Sequence, residues 1–405
     1  MKKVAIIGTA GVPGKYGGFE TLAHQLVKNL NEEFDLHVYC SNKYYKKQDR
    51  VKTWNGAKLH YLPFNANGIQ SIIYDFISIL HALFYADTLI VLGVSGGVLF
   101  PLVKLLTRKK IIVNIDGLEW RRAKWGRIGK RFLKLSEYLA VKYSDADITD
   151  NAIIQRYAAK TYKTLSHLIE YGGDHVSKKT AKFEQDIDAY PFLYHAYAVG
   201  ICRIEPENNV HLILEAFSKM NDKHLVFIGN WNHSQYGKEL RRKYRSFKNL
   251  HLMSAIYDQD KLDRIRSGAY LYVHGHSAGG TNPSLVEAMN LELPVAAFNV
   301  SYNKETTEYK AFYFKHEQDL VDIITGKGFL DYLLNKNKMY EIAKRRYKWK
   351  VIAKKYANLI YSFDYAYSKP AVEMEIVKMN SELLMRKGMA HLTNMTPFYE
   401  ELNKQ

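Results

Sequence analysis

The chain has 405 residues, with 58 Lys and Arg against 41 Asp and Glu, for a net charge of +17. Hydrophobic and aromatic contents of 47% and 13% are globular values that argue against disorder, and the length suits two domains rather than one core. Cys40 and Cys202 fall in different halves, which excludes a disulfide framework or a cysteine metal site and suits a reducing compartment.

The first strand is Val4–Gly8; the apolar run there is too short for a signal peptide. Thr9–Gly18 is a loop holding Gly11, Gly14, Gly17 and Gly18. Phe19, Leu22, Leu26 and Leu30 then space as one helix face, and Phe34, Leu36, Val38 and Cys40 alternate as a second strand. The loop is not G-x-G-x-x-G and no acidic ribose ligand follows strand two, so a nicotinamide enzyme is disfavoured. The apolar region Ile69–Leu106 is interrupted by Asp75, His81, Asp87, Gly96, Gly97 and Pro101, which argues against a membrane span. It reads as a helix (Ile72–Tyr85), a strand (Thr88–Leu92), a glycine turn and a helix.

Ile111–Ile115 is a strand leading into Asp116-Gly117-Leu118-Glu119-Trp120. Two readings fit this segment. In one, the acids accept from sugar hydroxyls and the indole covers an apolar sugar face; in the other, it is a loop with a buried Trp. The following stretch, 121–134, holds Arg121, Arg122, Lys124, Arg127, Lys130, Arg131 and Lys134 with no acid. Ile128, Phe132, Leu135 and Leu139 form its apolar helix face. Its basic face suits anionic lipid headgroups, or plain solvent. Ala146–Thr149 is a strand ending at Asp150 and Asn151, and Asp145-Ala146-Asp147 matches D-x-D by chance. Residues 171–174 form a turn, and the charged stretch Lys178–Ala189 is a linker.

The pattern restarts with strands at Tyr197–Ile201, Leu225–Gly229, Leu250–Met253, Tyr270–His274 and Pro294–Phe298. Arg203, just after the first of these, suits a diphosphate, because a guanidinium matches paired phosphate oxygens. The stretch HGHSAGGTNPSLVEAM combines a strand end, a glycine turn at Gly279 and Gly280, an N-cap at Asn282 and Pro283 in a first helical turn. That is an anion site, with Glu287 behind it to accept from ribose hydroxyls; an ordinary βαβ turn with a surface Glu fits the same spacing. Ile342, Trp349, Ile352, Tyr356 and Leu359 share the core face of a C-terminal helix. The charge alone suits nucleic acid, membrane or solvent, but no zinc-finger spacing, RNP strand or homeodomain pattern is present.

Taken together, GTAGVPGKYGGFET, DGLEWRRAKWG, the ENN after Arg203 and HSAGGTNPSLVEAM resemble the bacterial rhamnosyltransferase branch of GT-B glycosyltransferase family 4. The resemblance spans most of residues 1–360. It implies an α/β fold of two doubly wound Rossmann-like domains facing across a cleft: an acceptor-side domain at 1–180 and a nucleotide-sugar-binding domain at 190–345. Residues 346–405 supply helices crossing back to the first domain, and a tail. The implied reaction is retaining transfer of L-rhamnose from dTDP-rhamnose onto a lipid-linked saccharide in capsule or cell-wall polysaccharide synthesis. UDP-Gal, UDP-Glc or UDP-GlcNAc are alternative donors, and a non-enzymatic nucleic-acid- or nucleotide-binding protein is the other alternative.

By the same resemblance Arg203 takes the arginine place of the diphosphate signature, while Asn208 stands where that signature has lysine. Glu287 takes the ribose place, and the signature's other Glu falls on Gly279. Gly280, Thr281 and Asn282 are then the candidate sugar contacts, with Tyr197 packed near the donor and Gly17 and Gly18 in the first loop. Asp116, Glu119 and Trp120 are assigned to the acceptor, and Asp116 or Asp150 to orienting or deprotonating its hydroxyl. No metal or other cofactor is expected, since arginine and helix dipoles carry the leaving-group charge. The expected location is cytoplasmic, peripheral to the inner face of the cell membrane, with an anionic membrane surface as partner and no nucleic acid.

Overall fold

The computed structural model describes residues 1–14, 17–115, 117–121, 125–179 and 190–371. The chain forms two compact units, Met1–Glu170 with Trp349–Gln405, and Tyr171–Lys348.

The first unit holds a sheet of eight strands: β1 (Lys3–Ile7), β2 (Asp35–Ser41), β3 (Thr53–Trp54), β4 (Ala57–Leu62), β5 (Thr88–Leu92), β6 (Lys110–Asn114), β7 (Ala146–Thr149) and β8 (His167–Leu168). Their order is β3-β4-β2-β1-β5-β6-β7-β8. Only β3 and β4 pair antiparallel, through a turn at Asn55 and Gly56, both with positive φ. Asn-Gly adopts that conformation readily, which is why it closes hairpins. The central strands read as apolar runs because helices cover both sheet faces; Val4 to Ile7 and Ile111 to Val113 are fully buried. The connecting helices are α1 (Gly18–Leu30), α2 (Gln70–Ala82), α3 (Phe100–Leu106), α4 (Arg127–Tyr143) and α5 (Ala152–Tyr162).

The second unit has six parallel strands: β9 (Tyr197–Ile201), β10 (His224–Ile228), β11 (Leu250–Met253), β12 (Leu271–His274), β13 (Val295–Phe298) and β14 (Phe312–Phe314). Their order, β11-β10-β9-β12-β13-β14, is that of a doubly wound dinucleotide-type sheet. Its helices are α6 (Val210–Ser218), α7 (Gln235–Tyr244), α8 (Gln259–Ser267), α9 (Pro283–Asn290), α10 (Ser301–Thr306), α11 (Glu317–Gly326) and α12 (Phe329–Arg346). Phe217, Phe227, Trp231 and Phe314 anchor one side of its core. The last described helix, α13 (Trp349–Ser362), packs on α1 within the first unit.

Two sequence expectations change. The stretch from Ile342 to Leu359 is not one helix: Tyr347 leaves helical geometry, its hydroxyl donates to the Thr306 carbonyl at 2.7 Å, and Ile342 and Trp349 belong to different units. In α4 the buried face is Leu133, Glu137, Ala140 and Val141, so Ile128 and Leu135 turn outward. The strand expected at Tyr270–His274 is β12, Leu271–His274, and every one of its residues is buried. Among the described residues no helix is long and apolar enough to cross a membrane.

Candidate functional site

In the second unit the chain order reverses between β9 and β12, which pair directly (Leu271 with Ala198, Tyr272 with Val199). Ligands of open α/β sheets bind at the carboxyl ends of such a strand pair. Two loops meet there. The loop after β9 carries Arg203, and the loop after β12 carries the glycine turn.

The first loop is built to hold Arg203 outward. Ile204 is buried, which pins the backbone. The Arg203 carbonyl accepts from the Glu205 amide at 2.9 Å and from Asn208 Nδ2 at 2.7 Å. The Arg203 side chain is exposed and has no hydrogen bond or ion pair among the described residues. Asn208, which takes the lysine place of the diphosphate signature, is 4% exposed, with its amide donating to that carbonyl. It positions the arginine rather than presenting a charge.

The two loops are stitched together. Asn209 Nδ2 donates to the Gly275 carbonyl at 2.9 Å, and the amide and hydroxyl of Ser277 donate to the Glu207 carbonyl at 2.9 and 2.8 Å. A side chain at Gly275 would stand 2.2 Å from the Asn208 carbonyl oxygen, so only glycine lets the strands' loops approach this closely. Gly279 has φ +127°, which turns the chain into α9. Gly280 and Thr281 are buried in that turn, and Pro283 occupies the first turn of the helix. Asn282 sits at the N-cap, but its side chain makes no capping hydrogen bond. The helix N-terminus therefore keeps its positive end open to an anion.

Glu287 lies one turn inside α9 with its side chain 15% exposed. Arg266 Nη1 donates to its Oε2, and His175 Nε2 lies 3.2 Å from its Oε1. Arg266, 1% exposed, also donates to Asp263 Oδ1 at 2.5 Å. Burial alone would raise the Glu287 carboxyl; Arg266 and His175 outweigh it and hold the group down to about 2. Glu287 is thus an ionised acceptor fixed from behind, and a carboxylate with two partners still has lone pairs for hydroxyl donors. Sequence spacing did not point to these braces. Only the fold brings α8 and residue 175 to α9.

Tyr197 corrects an expectation. It is 1% exposed, its hydroxyl donates to the Ile265 carbonyl at 2.7 Å, and Phe192 packs edge-on against its ring. It is a core residue with no atom left for a donor. His274, at the end of β12, is 1% exposed, and its Nε2 makes no hydrogen bond; burial and the neighbouring His276 hold it well below the ordinary histidine value.

In the first unit three amides of the glycine-rich loop are spent internally. The Ala10 amide donates to Glu20 Oε1 at 2.8 Å, that of Gly11 to Thr9 Oγ1 at 3.2 Å and that of Gly14 to His24 Nδ1 at 3.2 Å. Gly17 ends the loop with φ +123°, and Gly18 opens α1, whose N-cap makes no side-chain hydrogen bond. Asp116 lies outside the described residues. Glu119 Oε1 accepts from Trp125 Nε1 at 3.0 Å, stapling that loop. The Trp120 ring is half-buried, with Lys134 Nζ 5.0 Å and the Arg121 guanidinium 5.8 Å from its centre.

Asp150, at the end of β7, is 3% exposed and lies in the electrostatic field of Tyr356, whose hydroxyl accepts from Asn114 Nδ2 at 3.2 Å. The acids of the D-x-D match are structural. Asp145 pairs with Lys104 at 3.0 Å, and buried Asp147 pairs with Lys369 at 2.7 Å. Among the described residues no group of three or more His, Cys, Asp or Glu is arranged to hold a metal ion.

Comparison with known proteins bears on both units. Residues 1–174 match the family described as a domain of unknown function (DUF1972), and residues 195–326 match the family described as glycosyl transferases group 1. No curated protein matches the chain. Among solved structures it is similar to the sucrose-phosphate synthase of Thermosynechococcus elongatus, with a TM-score of 0.73 at 14% identity over 91% of this chain and 100% of that one. It is also similar to Anabaena HepE in complex with UDP-glucose, with a TM-score of 0.70 at 15% identity over 89% and 100%. The catalytic domain of Arabidopsis thaliana starch synthase IV, bound to ADP and acarbose, gives 0.66 at 13% over 90% and 99%. The fold is GT-B, and the second unit carries a group 1 glycosyltransferase domain.

Proposed function

We propose that this protein is a retaining glycosyltransferase of family 4 that moves L-rhamnose from dTDP-rhamnose onto a lipid-linked saccharide during capsule or cell-wall polysaccharide assembly. The observation that carries the reading is the joined pair of loops at β9 and β12: an exposed arginine with a braced backbone, a glycine turn, an open helix N-terminus and an ionised glutamate behind it. Each part suits one piece of a nucleotide sugar. Glu287 accepts from the ribose hydroxyls. Arg203 and the amides that open α9 hold the diphosphate and stabilise the negative charge that grows on it as the sugar departs. Gly280, Thr281 and Asn282 lie where the sugar meets the diphosphate.

No enzyme nucleophile is assigned. Retention then follows from attack on the face the leaving group departs, with the leaving phosphate oxygen taking the acceptor proton. Asp116, Glu119 and Trp120 are assigned to acceptor binding. Asp150, enclosed behind the strand ends, orients rather than touches the acceptor. The charge on the leaving group is met by arginine and helix dipole, so no metal is required. The protein works peripherally at the inner face of the membrane, where a lipid-linked acceptor presents its sugar.

UDP-sugars are the second donor class, favoured by the UDP-glucose in the HepE complex. The test is incubation with a panel of nucleotide sugars and a polyprenyl-diphosphate-linked saccharide, read by mass. Addition of one deoxyhexose from dTDP-rhamnose is the expected result. Addition of a hexose from a UDP-sugar moves the donor to the second class, and no transfer from any donor refutes the reading.

A further inference from the structure

The outer faces of α2, α3 and α4 combine two properties that soluble surfaces rarely share. They expose large apolar side chains, and they carry no exposed acid. Ile73 and Leu80 are exposed on α2, and Phe84, just past it, is 88% exposed. Leu105 on α3 is 80% exposed and Leu106 beside it 68%, while Ile128 on α4 is 85% exposed. In segments 69–86, 99–110 and 125–144 the only acids are Asp75 and Glu137, at 3% and 0% exposure. Around Ile128, α4 exposes the basic side chains of Arg127, Arg131 and Lys134.

The topology places these faces together. Helices α2, α3 and α4 connect β4 to β5, β5 to β6 and β6 to β7, all progressing the same way across the sheet. Right-handed crossovers put all three on one side of it, and α1, which progresses the other way, on the opposite side. Contacts confirm the neighbours. A side chain at Gly96, just before α3, would meet Ile79 of α2 at 2.6 Å, and α3 packs on α4.

Exposed apolar side chains gathered on neighbouring helices along one side of a sheet mark an interaction face. Its charge selects the partner. A second copy of the chain would oppose like charges, whereas an anionic bilayer offers hydrocarbon for the apolar side chains and headgroup phosphates for the cations. We infer that this face inserts into an anionic lipid bilayer, with α2 and the end of α3 entering the headgroup–acyl boundary and the basic face of α4 lying on the headgroups. The inference deepens the lipid-linked acceptor proposed above, but binding is measured without it.

The experiment is co-sedimentation of the full chain with vesicles of phosphatidylcholine alone or mixed with phosphatidylglycerol, at low and high salt. Screening removes the electrostatic part and leaves the apolar part. Wild type is expected to bind the mixed vesicles, to lose affinity at high salt and to keep a residual that is tenfold or more above background. The triple variant Ile73→Ser, Leu80→Ser, Phe84→Ser should lose that residual while keeping its salt-sensitive binding. The variant Arg127→Gln, Arg131→Gln, Lys134→Gln should lose the preference for anionic vesicles.

All six positions are solvent-exposed, and circular dichroism and turnover of a short water-soluble acceptor check that both variants fold. Wild-type binding in the apolar variant overturns the inference, as does failure of the wild type to bind either vesicle. A wild-type dimer that the apolar variant dissociates also overturns it, in favour of a second copy. Transfer to the water-soluble acceptor separates these outcomes from failure of the proposed reaction.

Discussion

Replacing Glu287 by Gln tests the site and the fold at once. The substitution keeps shape but removes the charge that Arg266 and His175 oppose. A carboxyl held from its ordinary 4.5 down to about 2 is favoured in its ionised form by about 3 kcal/mol, at about 1.4 kcal/mol per tenfold. That agrees with the roughly 3–5 kcal/mol expected when one member of a buried ion pair is removed, since Arg266 is left buried with Asp263 alone. The variant should therefore lose donor turnover and also loosen β12, α9 and β13. Hydrogen exchange of amides in 271–298 reads that segment directly, and its most protected amides should exchange roughly 100-fold faster. The pH dependence carries a sign. Because the folded value lies below the ordinary one, the contribution is complete above about 4.5 and is lost as pH falls towards about 2. The wild-type protection should fall across that window, and the variant's should fall less. Unchanged protection at neutral pH in the variant would show that the charge network does not hold this region, and would refute the reasoning.

Arg203→Ala removes an exposed side chain with no partner among the described residues, so the melting temperature should stay at the wild-type value. Turnover should drop about 10- to 100-fold, equivalent to a lost charge-assisted contact of roughly 1.5–3 kcal/mol; wild-type turnover would place the diphosphate elsewhere. Gly275→Ala drives a methyl against the Asn208 carbonyl, so it should separate the two loops, destabilise the second unit by about 1–3 kcal/mol in urea unfolding and raise the donor KM. An unchanged KM would show that the loops act independently. His60 and His251 are each held down to about 4, by burial and by the adjacent His37 and His224. A base kept neutral in the fold but free to protonate when unfolded contributes fully above 6.5, and that contribution is lost as pH falls to about 4. The melting temperature should therefore drop from pH 7 to pH 5, and His60→Gln with His251→Gln should flatten that drop.

The sequence by itself determined the strands that read as apolar runs, the repeat of strand and helix in two halves, and the position of the glycine turn and helix start at Gly279 to Pro283. Those features are local. A strand buried on both faces must be apolar along its whole length, and glycine followed by proline leaves few backbone paths. A local signal was also present at Trp54-Asn55-Gly56-Ala57, where Asn-Gly marks a hairpin that the alternation around it was too short to announce.

Tertiary structure decided what the site residues can do. Tyr197 and Arg203 lie six positions apart on the same strand and loop, yet Tyr197 is sealed in the core against Phe192 and the Ile265 carbonyl, while Arg203 is held outward by the buried Ile204 and by Asn208. Glu287 reads the same on paper whether solvated or buried. Its ionisation depends on Arg266 and His175, which approach it only when the sheet is formed. The same holds for α4: an amphipathic pattern gives a helix, but Ile128 and Leu135 lie outward because the sheet and its neighbouring helices, not the pattern, choose which side is covered. Burial, charge pairing and the choice of buried face depend on residues far apart in the chain, and no local window contains them.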